Sequence, residues 1–120
     1  MDDAVRIWSN PGFERERSDL RALEPREATA ITHAITKLRV EGTRLGFPWT
    51  SAVRQSPLPG LRELRPRGGR SRHRVLYQQV SGGFELLAIA REAQSNRRAF
   101  NAAIQRAVAR AAASDRRLTT

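Results

Sequence analysis

Residues 61–90, LRELRPRGGRSRHRVLYQQVSGGFELLAIA, read as three strands joined by two tight turns, and that reading decides the fold. Leu61 to Arg65 is a short strand, Pro66 to Ser71 with Gly68-Gly69 is a turn, and His73 to Val80 is a β-rich strand. Ser81-Gly82-Gly83 turns the chain again, and Phe84 to Ala90 is the third strand. Tight turns make these neighbours antiparallel. The same stretch concentrates charge. Six of the thirteen residues from Arg62 to Arg74 are arginine (Arg62, Arg65, Arg67, Arg70, Arg72 and Arg74), with His73 among them and Glu63 the only acid. Fixed positive charge at that density suits a polyanion ligand, since like charges on one hairpin repel unless something neutralises them.

Upstream, Ala4 to Trp8 reads as a short strand closed by the turn signal Asn10-Pro11-Gly12, and Phe13 to Leu23 as a short helix ended near Pro25. Ala28, Ile31, Ile35 and Leu38 recur at helical spacing, so the sequence predicts a helix from Arg26 to Glu41 with Gly42 as its stop. Gly46 to Gly60, with Pro48, Pro57 and Pro59, is an irregular loop holding a short extended piece near Ala52 to Arg54. Downstream, Ser95 or Asn96 caps a long helix whose apolar stripe is Phe100, Ala103, Ile104, Ala107, Val108 and Ala111. A polar tail follows from Ser114. The order predicts an α+β fold: a small antiparallel sheet, made of the N-terminal strand and the three-stranded meander, packed on N-terminal helices with a C-terminal helix. One domain over residues 1–113 with a tail at 114–120 fits the 120-residue length.

The formal charge of +10 is uneven. Residues 1–41 hold eight acids and seven bases, net −1, whereas residues 42–120 hold fifteen bases and four acids, net +11. The first third therefore reads as scaffold and the remainder as the basic face. Arginine outnumbers lysine 21 to one, a bias that a GC-rich coding sequence also produces, so position is better evidence than number. With no cysteine, disulfide frameworks, thiolate metal sites and cysteine nucleophiles are excluded. No apolar run approaches the roughly 18 residues of a membrane span, and Met1-Asp2-Asp3 is unlike a secretory leader. A soluble, cytoplasmic protein with no membrane partner is the expectation.

Strand alternation sorts the arginines. Simple period-two counting groups His73, Val75 and Tyr77 on one face and Arg72, Arg74 and Leu76 on the other; Leu61, Glu63 and Arg65 go together, as do Glu85, Leu87, Ile89 and Arg91. A sheet covered by helices on one side alone would then carry Arg65, Arg74 and Arg91 on its open face, with Glu63 and Glu85. His33 and His73 lack any metal-ligand spacing, the serines lack a GxSxG setting, and Gly68-Gly69 lacks the phosphate-loop lysine, so no metal or cofactor is expected. What remains is phosphoryl chemistry by guanidinium groups. RNA is cut when its 2′-hydroxyl attacks the adjacent phosphate, and arginines stabilise the charge that gathers on the phosphate oxygens. Arginine is a poor base, so the base is sought among Glu63, His73, Tyr77 and Glu85, with alternation favouring Glu63 or Glu85.

Three short strings in sequence resemble the RelE/HigB superfamily of toxins from type II toxin-antitoxin systems, in particular its HigB-like, phage-derived branch. They are Leu61-Arg62-Glu63-Leu64-Arg65, Arg74-Val75-Leu76-Tyr77, and Leu86 to Arg91 followed by Gln94 and an amphipathic helix. The resemblance implies a small sheet packed on helices and a metal-independent, ribosome-dependent endoribonuclease acting on mRNA. It also implies a neutralising antitoxin, often with a helix-turn-helix domain. Carried over, it implies phosphate or transition-state contacts for Arg65, Arg74 and Arg91. Tyr77 has two readings, one at the site by motif and one in the core beside Val75. Gln94 is a base or backbone contact, or a cap of the last helix. Arg62, Arg67, Arg70, Arg72 and His73 supply the wider grip on RNA. The chain departs from the branch pattern at Glu92, where a second basic residue is common, and at Ser95-Asn96, where Thr-Pro stands. Two alternatives remain open: a ParE-like inhibitor of DNA gyrase without nuclease activity, and a non-toxic basic nucleic-acid-binding accessory module.

Overall fold

The computed structural model describes the backbone of residues 5–119 and the side chains of residues 5–114. Among the described residues, five strands and three α-helices follow one another as β1 (Arg6–Ser9), α1 (Pro11–Leu23), α2 (Pro25–Glu41), β2 (Thr50–Ala52), β3 (Arg62–Leu64), β4 (His73–Val80), β5 (Gly83–Arg91) and α3 (Arg97–Thr119). One sheet holds all five strands in the order β1-β5-β4-β3-β2. β3, β4 and β5 pair antiparallel as the expected meander, β2 adds to β3 antiparallel, and β1, expected in an antiparallel sheet, instead joins parallel to β5 at the edge. Of the N-terminal strand's expected residues, Ala4 lies outside the described residues.

Local chemistry explains the boundaries. Asn10-Pro11-Gly12, read above as a turn, is a helix start: the Asn10 side-chain oxygen accepts the Gly12 N–H at 2.8 Å and Pro11 occupies the first helical position. Pro25 likewise occupies the first helical position of α2, there without a side-chain cap, and Gly42 closes that helix at φ 59° with its N–H bonded to Leu38 O. Asn96 caps α3, its side-chain oxygen accepting the Ala99 N–H at 3.0 Å. The α3 backbone stays helical to Thr119, past the point where the sequence suggested a tail. Gly83 is required by a close approach, since any Cβ there would lie 1.9 Å from the Arg6 carbonyl oxygen. That contact admits β1 to the sheet.

The sheet is covered on both faces. α1 and α2 pack Phe13, Leu20, Ile31, Ile35 and Leu38 against Leu64, Val75, Tyr77, Phe84 and Leu86 on one side. α3 packs Phe100, Ala103, Ile104, Ala107 and Ala111 against Leu61, Leu76, Leu87, Ala88 and Ala90 on the other. Hence His73 to Gln78 are buried without a break. The expected open sheet face does not exist: α3 turns back across β5 because its apolar stripe needs a partner and the second sheet face supplies one.

A β-bulge supplies the other correction. Leu76 pairs with Ala88 but Tyr77 pairs with Leu86, which leaves Leu87 as an extra residue in β5. The phase of alternation therefore changes at Leu87, and Glu85 and Arg91, grouped by simple counting, point to opposite faces. Beyond Ser9 the outer edge of β5 loses its strand partner, and charged side chains replace it. Glu16 accepts the Ile89 N–H at 2.9 Å, Arg106 donates to Ile89 O at 3.1 Å and Arg110 donates to Leu87 O at 2.8 Å. Glu16 also pairs with Arg106 at 3.0 Å and Arg110 at 2.7 Å, tying α1, β5 and α3 together. Burial opposes charge on Glu16, but the bonds from Arg110 and the Ile89 N–H, with the field of Arg106, still hold its carboxyl below the ordinary value.

Candidate functional site

The arginine-rich segment folds as a knot at one end of the sheet. A 3₁₀ turn, Pro66–Gly69, joins β3 to β4 and carries left-handed backbone at Arg67 (φ 57°) and Gly68 (φ 64°). Gly68 takes that conformation freely, whereas Arg67 is held in it. The hold is Glu27 of α2, whose carboxylate pairs with the Arg67 guanidinium and accepts the Ser71 hydroxyl at 2.7 Å. Its Oε1 also lies 3.0 Å from His73 Nδ1.

Burial alone would raise the Glu27 pKa, yet the bonds from Ser71, His73 and Arg67 outweigh it and lower the value from 4.5 to about 2. A carboxyl depressed on folding stabilises the native state fully above its unfolded value and loses that contribution as pH falls toward its folded value. Between pH 4.5 and about 2 the turn is therefore expected to loosen. Thermal melts of the wild type and Glu27→Gln from pH 6 down to pH 3 check this: the gap in Tm should be widest at pH 6 and shrink on acidification.

Arg74 is the hub of the knot. It is only 4% exposed. Its Nη1 donates to the carbonyls of Ser71 at 2.7 Å and His73 at 2.9 Å. Its Nη2 reaches Gly69 O at 3.3 Å and Glu92 Oε2 at 3.1 Å, and its Nε reaches Glu63 Oε1 at 3.3 Å. Every nitrogen of the guanidinium is thus engaged within the protein. Glu63 Oε1 also accepts from Arg65 Nη1 at 2.9 Å, so one carboxylate oxygen bridges two guanidinium groups. Arg65 is additionally braced by Pro48 O at 3.0 Å and lies 5.2 Å from the centre of the Phe47 ring. Its side chain remains 21% accessible, and Phe47 is 76% exposed.

The other candidates are dispersed. Arg91 lies on the α1/α2 face, 3.9 Å from Glu24, across the sheet from Arg65 and Arg74. The three arginines do not converge on one patch, because the bulge at Leu87 turns Arg91 to the opposite side. His73 is buried beneath α2 between Glu27 and Glu24 and takes no part in an outer basic surface. Tyr77 is core: its ring meets Phe84 edge-on at 5.5 Å, and its hydroxyl is 2.6 Å from Thr50 Oγ1, to which Arg62 Nε also donates at 3.2 Å. Glu85 is buried near the start of β5, at the end away from the knot, bonded to Gln78 and Ser114. Arg67, Arg70, Arg72 and Gln94 are exposed around the knot. Phe47 and the Pro48 carbonyl also belong to the site, although the sequence marks their segment only as an irregular loop; an aromatic in a proline-rich stretch was their one signal. Among the described residues no group of three or more His, Cys, Asp or Glu side chains is placed to hold a metal ion. Nor is any described helix long and apolar enough to cross a membrane.

A model of the phage-derived Gp49-like protein family matches residues 18–107. The chain belongs to the Gp49-like family. That match spans α2, β2, β3, the knot, β4, β5 and the first half of α3, so the elements that build the site are those the family shares. No curated protein matches the chain in sequence. Among solved structures, the Gp49-like chain resembles two of YoeB from Staphylococcus aureus. One is a YoeB-YefM complex, with a TM-score of 0.55, and the other a YoeB dimer, with a TM-score of 0.56. Each is 14% identical to it, and the similarity covers 71% of this chain and 93% of the other. At that identity the likeness is one of fold, the RelE-like arrangement of sheet and helices.

Proposed function

We propose that this chain is the toxin of a type II toxin-antitoxin pair, of the HigB-like kind, and that it cleaves ribosome-bound mRNA without a metal ion. The observation that carries the reading is the single Glu63 oxygen held between the guanidiniums of Arg65 and Arg74. An anionic oxygen sits where two fixed guanidinium groups meet, which is the geometry that binds a phosphoryl oxygen. The family and the fold shared with a toxin solved beside YefM support a toxin role and an antitoxin partner.

In this reading an incoming phosphate competes with Glu63 for Arg65. The displaced carboxylate takes the proton of the 2′-hydroxyl, the 2′-oxygen bonds to phosphorus, and the bond to the 5′-oxygen breaks. A 2′,3′-cyclic phosphate remains on one fragment, and the departing 5′-oxygen gains a proton from water. Arg65 meets the phosphate directly. Arg74 acts through Glu63 and the carbonyls of the turn as a positioning residue, and Glu92, bound to Arg74, belongs to that frame. Arg70, Arg72 and Gln94 face the surrounding RNA, and Arg91 contacts it across the sheet end. Tyr77 braces Thr50 and Arg62 from within. Expression in a bacterial host without the antitoxin should arrest growth and shorten mRNA while plasmid supercoiling stays normal. Intact mRNA with blocked supercoiling would instead indicate gyrase inhibition.

A further inference from the structure

We infer that a second groove, on the outer side of α2, binds a single-stranded stretch of RNA with a base stacked on Trp49. The choice of RNA rests on the reading above; the groove does not depend on cleavage. It measures about 560 Å³ and lies between α2 and the Pro66–Gly69 turn. Arg26, His33 and Lys37 line it from the helix, Arg67 and Arg70 from the turn, and Trp49 from the segment before β2. Among the described residues no carboxylate lines it. Glu27, beside Arg26 on the same helix, is already committed to Arg67, Ser71 and His73.

Three features favour a nucleic acid strand. Trp49 is half-buried, its ring edge approaching Gly68 while the Lys37 ammonium lies 4.5 Å from the ring centre. A base stacked on a half-buried ring is held about as firmly as a cation over it, so a base can take that face while Lys37 moves to a phosphate beside it. Cations flank the ring along the groove, from Arg26 and Lys37 to Arg70, which matches a backbone whose charges recur beside each base. The turn that forms one wall also carries Gly69, whose carbonyl Arg74 grips, so the groove adjoins the proposed cleavage site. A strand at Arg65 can continue over the turn into the groove. Lys37, the chain's one lysine, and His33 fall in the part of the sequence that composition marked as scaffold.

The test uses intrinsic fluorescence, because the chain has two tryptophans, Trp8 in β1 and Trp49. In Trp8→Phe the remaining emission reports the groove alone. Titration with oligouridylate should quench it saturably, and log affinity should fall against log salt with a slope of roughly −0.7 for each phosphate contacted. Trp49→Ala should weaken binding of a dye-labelled oligouridylate about tenfold, and Arg26→Ala with Lys37→Ala should flatten the salt slope with the melting temperature unchanged. Unchanged Trp49 emission while labelled oligouridylate still binds would overturn the groove, as would no binding at all. Equal quenching by polyglutamate would overturn it in favour of an acidic polypeptide. Quenching by oligouridylate in a chain that cuts no mRNA would uphold the groove and sink the nuclease reading.

Discussion

Arg65→Ala is expected to lower mRNA cleavage by about 10² to 10³ while the protein stays folded. Removing one donor that stabilises transition-state charge has an effect of that size in other enzymes. The fold should survive because the side chain is 21% accessible and its main partners are one carboxylate oxygen and the Pro48 carbonyl. Glu63 keeps Arg74 as its counter-ion when Arg65 is removed, so no buried carboxylate is left without a cation. Arg65→Lys should restore little, since an ammonium cannot present the planar fork that spans Pro48 O and the anion between Arg65 and Arg74. Primer-extension assays of cleavage beside thermal melts would separate the two effects. Full cleavage by Arg65→Ala would move the phosphate contact elsewhere.

Arg74→Ala should act differently, through stability first. Its guanidinium is buried, and its loss leaves Glu63 and Glu92 without a shared cation and strips the carbonyls of Gly69, Ser71 and His73 of a donor. Breaking a buried ion pair from one side costs about 3 kcal/mol or more. In a domain of this size that corresponds to a fall in Tm of about 10 °C. Cleavage should fall too, even at temperatures where the variant is folded, because Arg65 loses the far side of its carboxylate brace. Arg74→Lys should recover part of the melting temperature and little of the cleavage, a split that an ordinary phosphate contact would not show. An unchanged Tm for Arg74→Ala would remove the hub role.

The contrast between these two arginines could not be read from the sequence. Both fall in the same run, and a charged side chain is exposed in most proteins. Arg74 is buried because β4 is covered from both sides, and that follows from where α3 crosses. The apolar stripe of Phe100, Ile104 and Ala107 was legible at helical spacing, but the face it covers is a tertiary outcome. β4 itself was legible end to end, as His73 to Val80, because glycine-bearing turns bound it on both sides. The bulge at Leu87 was not. Leu86-Leu87-Ala88 is uniformly apolar, so alternation carries no signal there, and the one-residue phase change that sends Arg91 across the sheet is silent. The Glu16 plug was silent for another reason, since its partners Ile89, Arg106 and Arg110 are 73 to 94 residues away. Nor did the motif strings tell a site tyrosine from a core one; the Thr50 hydroxyl and the Phe84 ring settle Tyr77 in the core.

Glu63 links the resting site to its chemistry, since the oxygen that braces Arg65 in the free chain must yield that guanidinium to the substrate phosphate while Arg74 still holds the carboxylate. The most direct measurement is primer extension on one mRNA, naked and engaged by ribosomes in a purified translation system, with the wild-type chain and Arg65→Ala. The wild type should cut at codon-defined positions on ribosome-bound message only, leaving 2′,3′-cyclic phosphate ends, and undiminished by a metal chelator added after ribosome stalling. Absence of cuts from the wild type under those conditions, or equal cutting by Arg65→Ala, would contradict the nuclease reading.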